Sequence, residues 1–159
     1  MSYLLGVDVT ATPSTDEDGH RLGAIFTAHT GYEYMKIHAN GAITQYDAVM
    51  VDEAGEGYAL TKAGAEDYAY RIGVAQVAFA DNDYGWVLTK GVGQVNALTS
   101  CAADAQLYTS GTAGHLDDAD ASQHAIHGVR LTTAVGGGGA AAAAMFIDNA
   151  SVDVAFDGA

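Results

Sequence analysis

Arg71–Lys90 reads RIGVAQVAFADNDYGWVLTK. Two runs rich in Val, Ala and aromatic residues flank Asp81-Asn82-Asp83, residues whose side chains favour turns. This grammar predicts an antiparallel pair, Arg71–Ala80 with Tyr84–Lys90, with Trp86 in the core and its indole N–H on a carbonyl. The pattern recurs outward in both directions. YEYMKIHA, Tyr32–Ala39, alternates with a period of two. Tyr32, Tyr34, Lys36 and His38 fall on one face, and Glu33, Met35, Ile37 and Ala39 on the other. Asn40-Gly41 follows, a two-residue hairpin signal because both residues tolerate positive φ. Ile43–Val51 is then expected as the return strand.

The same reading gives a turn and short strand in GEGYALT, and a helical turn or loop in Ala63–Tyr70. Gly91–Leu98 continues the sheet past a kink or bulge at Gly91 and Gly93. Gln106–Thr109 is a short strand, and Ser110–Gln123 a long acidic loop. Ile126–Val135 and Ala140–Ile147 form two strands joined by Gly136–Gly139. Five alanines favour helix by propensity but are too few for an isolated helix. Asp148–Ala159 reads as a tail that adds an edge strand. Residues 1–20 differ: an apolar Leu4–Val9 able to pair as a strand, then ATPSTDEDGH with turn formers and acids. The expectation is all-β, a small antiparallel β-barrel or β-sandwich with an extended N-terminal arm (1–20), a single β-rich domain (21–159) and little helix.

Composition narrows function. The 159 residues carry 20 acidic side chains against 6 Lys and Arg, a formal charge of −14. Phosphate neutralisation needs clustered cations, so no nucleic-acid partner is expected. No stretch approaches the roughly 18 apolar residues of a membrane helix, so no membrane partner is expected. The N-terminus lacks a basic, signal-like region, which does not support secretion. Hydrophobic residues make up 49%, but many are Ala, so each buried side chain brings little apolar area. Such a core suits stabilisation by oligomerisation.

The candidate sites of chemistry in the sequence are incomplete. His124-x-x-His127 resembles a metal pair, but residues three apart on a strand face opposite ways. Asp81-x-Asp83 and Asp117-Asp118-x-Asp120 resemble fragments of calcium loops without the spaced Glu or flanking helices. Gly91-Val92-Gly93 lacks the third Gly of a dinucleotide fingerprint, and no Lys follows Gly136–Gly139. The single Cys101 excludes an intrachain disulfide and reads as a small buried residue. Nothing places it or any Ser in a nucleophile motif. No catalytic, cofactor or metal residues are assigned. A small hydrolase or isomerase using His115 or His124 with a loop Asp is the enzymatic alternative.

Four blocks carry a resemblance: YEYMKIHANGAITQYDAVMVDEAG, RIGVAQVAFADNDYGWVLTKG, CAADAQLYTSGTAGHLDDAD and IHGVRLTTAVGGGGAAAAAMFI. In this order they resemble the capsid decoration (cement) proteins of tailed bacteriophages, from Gly23 to Ile147. The resemblance implies a small β-barrel or β-sandwich, commonly trimeric. It implies a virion structural protein on the outer capsid surface, bound to the major capsid protein shell and stabilising the head, with no enzyme activity and no cofactor. The expected partners are the major capsid protein and further copies of the chain as a homotrimer. The expected interface residues are Leu4, Leu5, Val7 and Val9 on the arm, able to add a strand to a capsid sheet edge, and Tyr32 and Tyr34. The alternative within the virion is a head-fibre base or a glycan- or receptor-binding β-module.

Overall fold

A computed structural model describes residues 7–16, 18–68, 71–121 and 123–153. The strands are β1 (Ile25–Thr27), β2 (Glu33–Ala39), β3 (Ala48–Val51), β4 (Glu56–Ala59), β5 (Arg71–Val74), β6 (Tyr84–Ala97), β7 (Leu107–Thr109), β8 (Leu116–Asp117), β9 (Ala125–Leu131) and β10 (Ala141–Asp153). A short helix, α1 (Lys62–Tyr68), joins β4 to β5. The expected all-β barrel is what the chain forms. The strands pair in the order β1-β2-β4-β3-β5-β6-β10-β9-β7-β8.

A further β2–β6 pairing closes β2, β4, β3, β5 and β6 into a five-stranded barrel. Its interior holds Met35, Ile37, Val49, Val51 and Val87, with Ala39, Ile43, Ala75 and Phe79 at their side. Alternation along each strand sends these residues inward. Glycines make room for them. A Cβ on Gly57 would stand 2.5 Å from Ile37, and one on Gly73 would stand 2.6 Å from Val87.

β6 continues beyond this barrel. Its second half pairs with β10 from Lys90↔Asp148 to Ala97↔Ala141. β10 pairs with β9, β9 with β7, and β7 with β8. A parallel bridge, Ala97↔Leu116, returns to β6. The 14-residue β6 is thus shared by two circuits of strands. Val95, Leu107, Leu116, Ile126, Leu131, Met145 and Ile147 fill the second circuit and run on into Met50, Ile72, Val74 and Leu88, on the outside of the first barrel. One core therefore joins both halves. Gly91, at φ 131°, lets β6 turn from one circuit to the other beneath the Tyr32 ring, as expected of a kink there.

Two local expectations are corrected. Asn40-Gly41 turns the chain, but β2 does not pair with β3. It pairs in parallel with β4 (His38↔Glu56) and antiparallel with β6. Likewise β5 and β6 meet only at Val74↔Leu88, while β5 spends its register on β3. The two turns instead bind each other. Gly41 N donates to Asp81 Oδ1, Ala39 N to Asp83 O and Asn82 N to Ala39 O. Local turn chemistry was read correctly. The pairing was not, because barrel closure pairs more backbone than two isolated hairpins.

The described part of the expected helical turn or loop at 63–70 is a helix at 62–68, and the strands expected at 106–109 and 140–147 form at 107–109 and from 141 onward. The strand expected at 126–135 runs over 125–131, and the expected loop at 110–123 contains the short β8. β10 extends through the proposed tail to Asp153 by way of a bulge between Ile147 and Ser151. The rest of the tail lies outside the described residues.

Candidate interaction face

The arm and the outward residues of β2 are best considered together. Lys36 and Trp86 are cross-strand partners on the outside of the first barrel. Both are buried, Lys36 with 1% of its surface exposed. The arm buries them. Tyr84 N donates to Pro13 O at 2.8 Å, and the His20 ring meets Trp86 edge-on at 5.5 Å. Phe26 of β1 closes the other side of the indole at 6.0 Å. Trp86 is thus a core residue as expected, but of the seam between arm and barrel.

The Lys36 ammonium donates to Asp16 Oδ1, to Asp18 Oδ1 and, at 2.9 Å, to His20 O. Burial alone pulls its pKa down, but the hydrogen bonds it donates to Asp16 and Asp18 outweigh burial and leave it raised. A cleft of about 270 Å3 runs along this seam, lined by Pro13, Asp16, Lys36, Tyr84 and Trp86 among others.

The expected interface residues divide accordingly. Val7 and Val9 are half-buried on the arm, outside any strand, and Leu4 and Leu5 lie outside the described residues. Tyr32 and Tyr34 are half-buried and pack on the larger core. Burial, and then the neighbouring Tyr32, raise the Tyr34 pKa. The mixed Tyr–Lys–His face of β2 is therefore largely spent inside the molecule: Lys36 under the arm, and His38 against Glu56 at 3.0 Å and the Tyr84 ring at 4.5 Å.

A different surface stands open. Val92, Phe146 and Ile25 are the large hydrophobic residues most exposed among those described, with Val92 at 53% and Phe146 at 46%. Val92 and Phe146 are cross-strand partners on the outer face of β6 and β10, and Arg130 of β9 lies opposite Phe146 on its other side. Next to this row lie Gln94 and Ala144, then exposed Ala142, whose partner Asn96 is buried and donates to Gln45 O and Asp47 Oδ1. On the other side Asp148 sits 3.8 Å from Lys90, which also lies 3.9 Å from Glu33 at the edge. Arg130 makes no ion pair among the described residues. The face mixes exposed apolar and small side chains with Gln94 and Arg130, and the Lys90 and Arg130 cations there offset Glu33 and Asp148 on a chain of charge −14. Beside it opens a cleft of about 380 Å3 lined by Gln106, His127, Gly128, Arg130, Phe146 and Asp148.

This face was missed in the sequence, although its signal is there. In AAAAAMFI, alternation puts Met145 and Ile147 inward and Phe146 outward.

The histidines do not gather. His124 meets Glu66 at 3.0 Å, His127 lies 3.7 Å from Asp153 and His115 lies 4.0 Å from Asp47. Asp47 is already engaged by Thr44 N and Asn96 Nδ2, and His115 Nδ1 is buried without a hydrogen-bond partner among the described residues. Asp81 and Asp83 act as turn acceptors. Asp117 and Asp118 do come together with Cys101. No protein-family model matches the chain, and no curated protein matches it.

Proposed function

We propose that this chain is a capsid decoration protein of a tailed bacteriophage, binding the outer surface of the major capsid protein shell and stabilising the head as a trimer. The observation that carries this reading is the open, nearly neutral face of Val92, Phe146, Ala142, Ala144 and Arg130 on an otherwise acidic β-domain. Exposed apolar surface of this kind marks a contact with another protein. Like-charged copies or acidic partners repel over most of such a chain and meet most easily where the carboxylates thin out. The resemblance of the four sequence blocks, in their order, to decoration proteins supports the same reading, as does a β-scaffold built of two strand circuits.

In this proposal the work is mechanical. Each subunit contributes a weak contact, and three contacts on one trimer sum through effective concentration to a firm clamp. The sequence-expected arm residues Leu4, Leu5, Val7 and Val9, with Tyr32 and Tyr34, are secondary contacts in this proposal; of these, Val7, Val9, Tyr32 and Tyr34 are half-buried.

The test is reconstitution. Purified protein is added to heads assembled without it, and occupancy is read by cryo-electron microscopy and genome retention on heating. Saturable occupancy with delayed genome release is expected, and lost with Phe146→Asp plus Val92→Asp. Undiminished occupancy by that double variant, or none by the native chain, overturns the reading.

A further inference from the structure

We infer that Cys101, Asp117 and Asp118 form a binding site for a single Zn2+-like divalent cation at the seam between β6 and β8. This does not rest on the capsid reading. The cysteine comes from the loop after β6, and the carboxylates from the end of β8 and the residue after it, 16 residues on. Their ligand atoms all lie within 4.8 Å of one another. Donors around a tetrahedral zinc sit about 3.5 Å apart, given Zn–S near 2.3 Å and Zn–O near 2.1 Å. A modest contraction of the three side chains would seat the ion, with water as fourth ligand. One sulfur with two oxygens is a donor set for a borderline ion such as zinc, and a poor one for calcium or magnesium, which take oxygen alone.

A second observation concerns the thiol. Cys101 is fully buried, and its sulfur lies within 4.8 Å of a carboxylate oxygen of each aspartate. The carboxylates take their hydrogen bonds from backbone amides instead: Ala102 N donates to Asp118 Oδ2 at 2.8 Å, and Asp118 N to Asp117 Oδ1 at 2.9 Å. Each carboxylate is thereby oriented and keeps lone pairs free, as second-shell hydrogen bonds do for metal ligands. A bound cation changes the charge balance of the group. The thiol gives its proton to solvent, the sulfur lone pair goes to the metal, and the two carboxylates turn from repelling the thiolate to sharing its counter-ion.

The position gives the site a purpose. The second strand circuit closes between β6 and β8 through the bridge Ala97↔Leu116 and Leu98 N donating to Leu116 O at 2.8 Å. A metal joining Cys101 to Asp117 and Asp118 clips that short seam from outside the ladder.

The full chain, reduced and metal-free, is titrated with Co2+ and then Cd2+. The expected result is a saturable one-to-one thiolate-to-metal charge-transfer band, release of one proton per ion, a rise in Tm, and affinity falling tenfold per pH unit of acidification. Cys101→Ser should abolish the band. Asp117→Asn and Asp118→Asn keep an oxygen for their amide hydrogen bonds. Each should weaken Co2+ binding at least tenfold without changing the metal-free Tm. If Cys101→Ser does not fold, the Asn variants carry the test alone. No charge-transfer band in the native chain, or equal Co2+ affinity in the native chain and the Asp117→Asn/Asp118→Asn double variant, overturns the site.

Discussion

Removing the Lys36 ammonium should cost less than removing its two carboxylates. Lys36 is 1% exposed, whereas the Asp16 and Asp18 side chains are 42% and 40% exposed. Lys36→Met deletes the charge and keeps an apolar stem of similar reach under the arm. The two carboxylates left behind regain water. The loss is then the charge-assisted hydrogen bonds, about 1.5–3 kcal/mol, offset in part because an ammonium no longer has to be desolvated. A net cost of about 1–2 kcal/mol follows.

Asp16→Asn with Asp18→Asn strands the cation beneath the arm with weaker partners, for which breaking a buried pair costs about 3–5 kcal/mol. That cost has a ceiling, because the arm can lift and let water reach Lys36. The double variant should therefore show the faster protease cleavage within residues 7–20 and the faster exchange of the Tyr84 amide bonded to Pro13 O. Its urea midpoint should also fall further than that of Lys36→Met. Equal or greater damage from Lys36→Met, or arm cleavage no faster than native in the Asn pair, would refute this account.

The same latch sets a pH window. Burial works to raise the Asp18 pKa, but the Lys36 hydrogen bond and the His20 amide leave it lowered, so its contribution is present at neutral pH and is lost as acid protonates it. The Lys36 pKa is raised, so its contribution holds through neutral pH and is lost only as alkali passes that raised value. Arm proteolysis measured against pH should show a protected plateau that ends on the acid side below pH about 4. Gly73→Ala drives a Cβ to 2.6 Å from Val87 inside the barrel. It should cost about 1–3 kcal/mol of overpacking in urea unfolding. Gly128→Ala faces backbone, Asp148 O at 2.6 Å, at φ 81°, and should lower Tm more than Gly73→Ala. Phe146→Asp, on the open face, should leave Tm within a degree or two of native while reducing self-association seen by light scattering. Cys101 should resist iodoacetamide at pH 8 in the native protein and react on unfolding, because its thiol is buried with a pKa of about 11.

Much of the fold was legible in the residues because strand and turn signals are local. Period-two runs at 33–39 and 141–147, the short helix at 62–68 and the kink at Gly91 all follow from side-chain alternation and backbone freedom. Asp81 and Asp83 could be read as turn formers for the same reason. Which strand pairs with which was not legible. β2 joins β4 and β6 rather than β3, since closing a barrel depends on backbone groups far apart in sequence. Nor was the fate of the Tyr32, Tyr34, Lys36 face. Alternation shows that these side chains share a side, but the larger core under Tyr32 and Tyr34 and the arm across Lys36 made that side an interior. The outward face of β10 was implicit in its alternation, yet exposure belongs to what the rest of the chain leaves uncovered. By itself the sequence determined strand character, turn chemistry and an acidic surface, because these are properties of neighbours along the chain. The tertiary structure alone decided which surfaces are spent on internal contacts, which remain open, and that Cys101 meets Asp117 and Asp118, because those depend on distances across the fold.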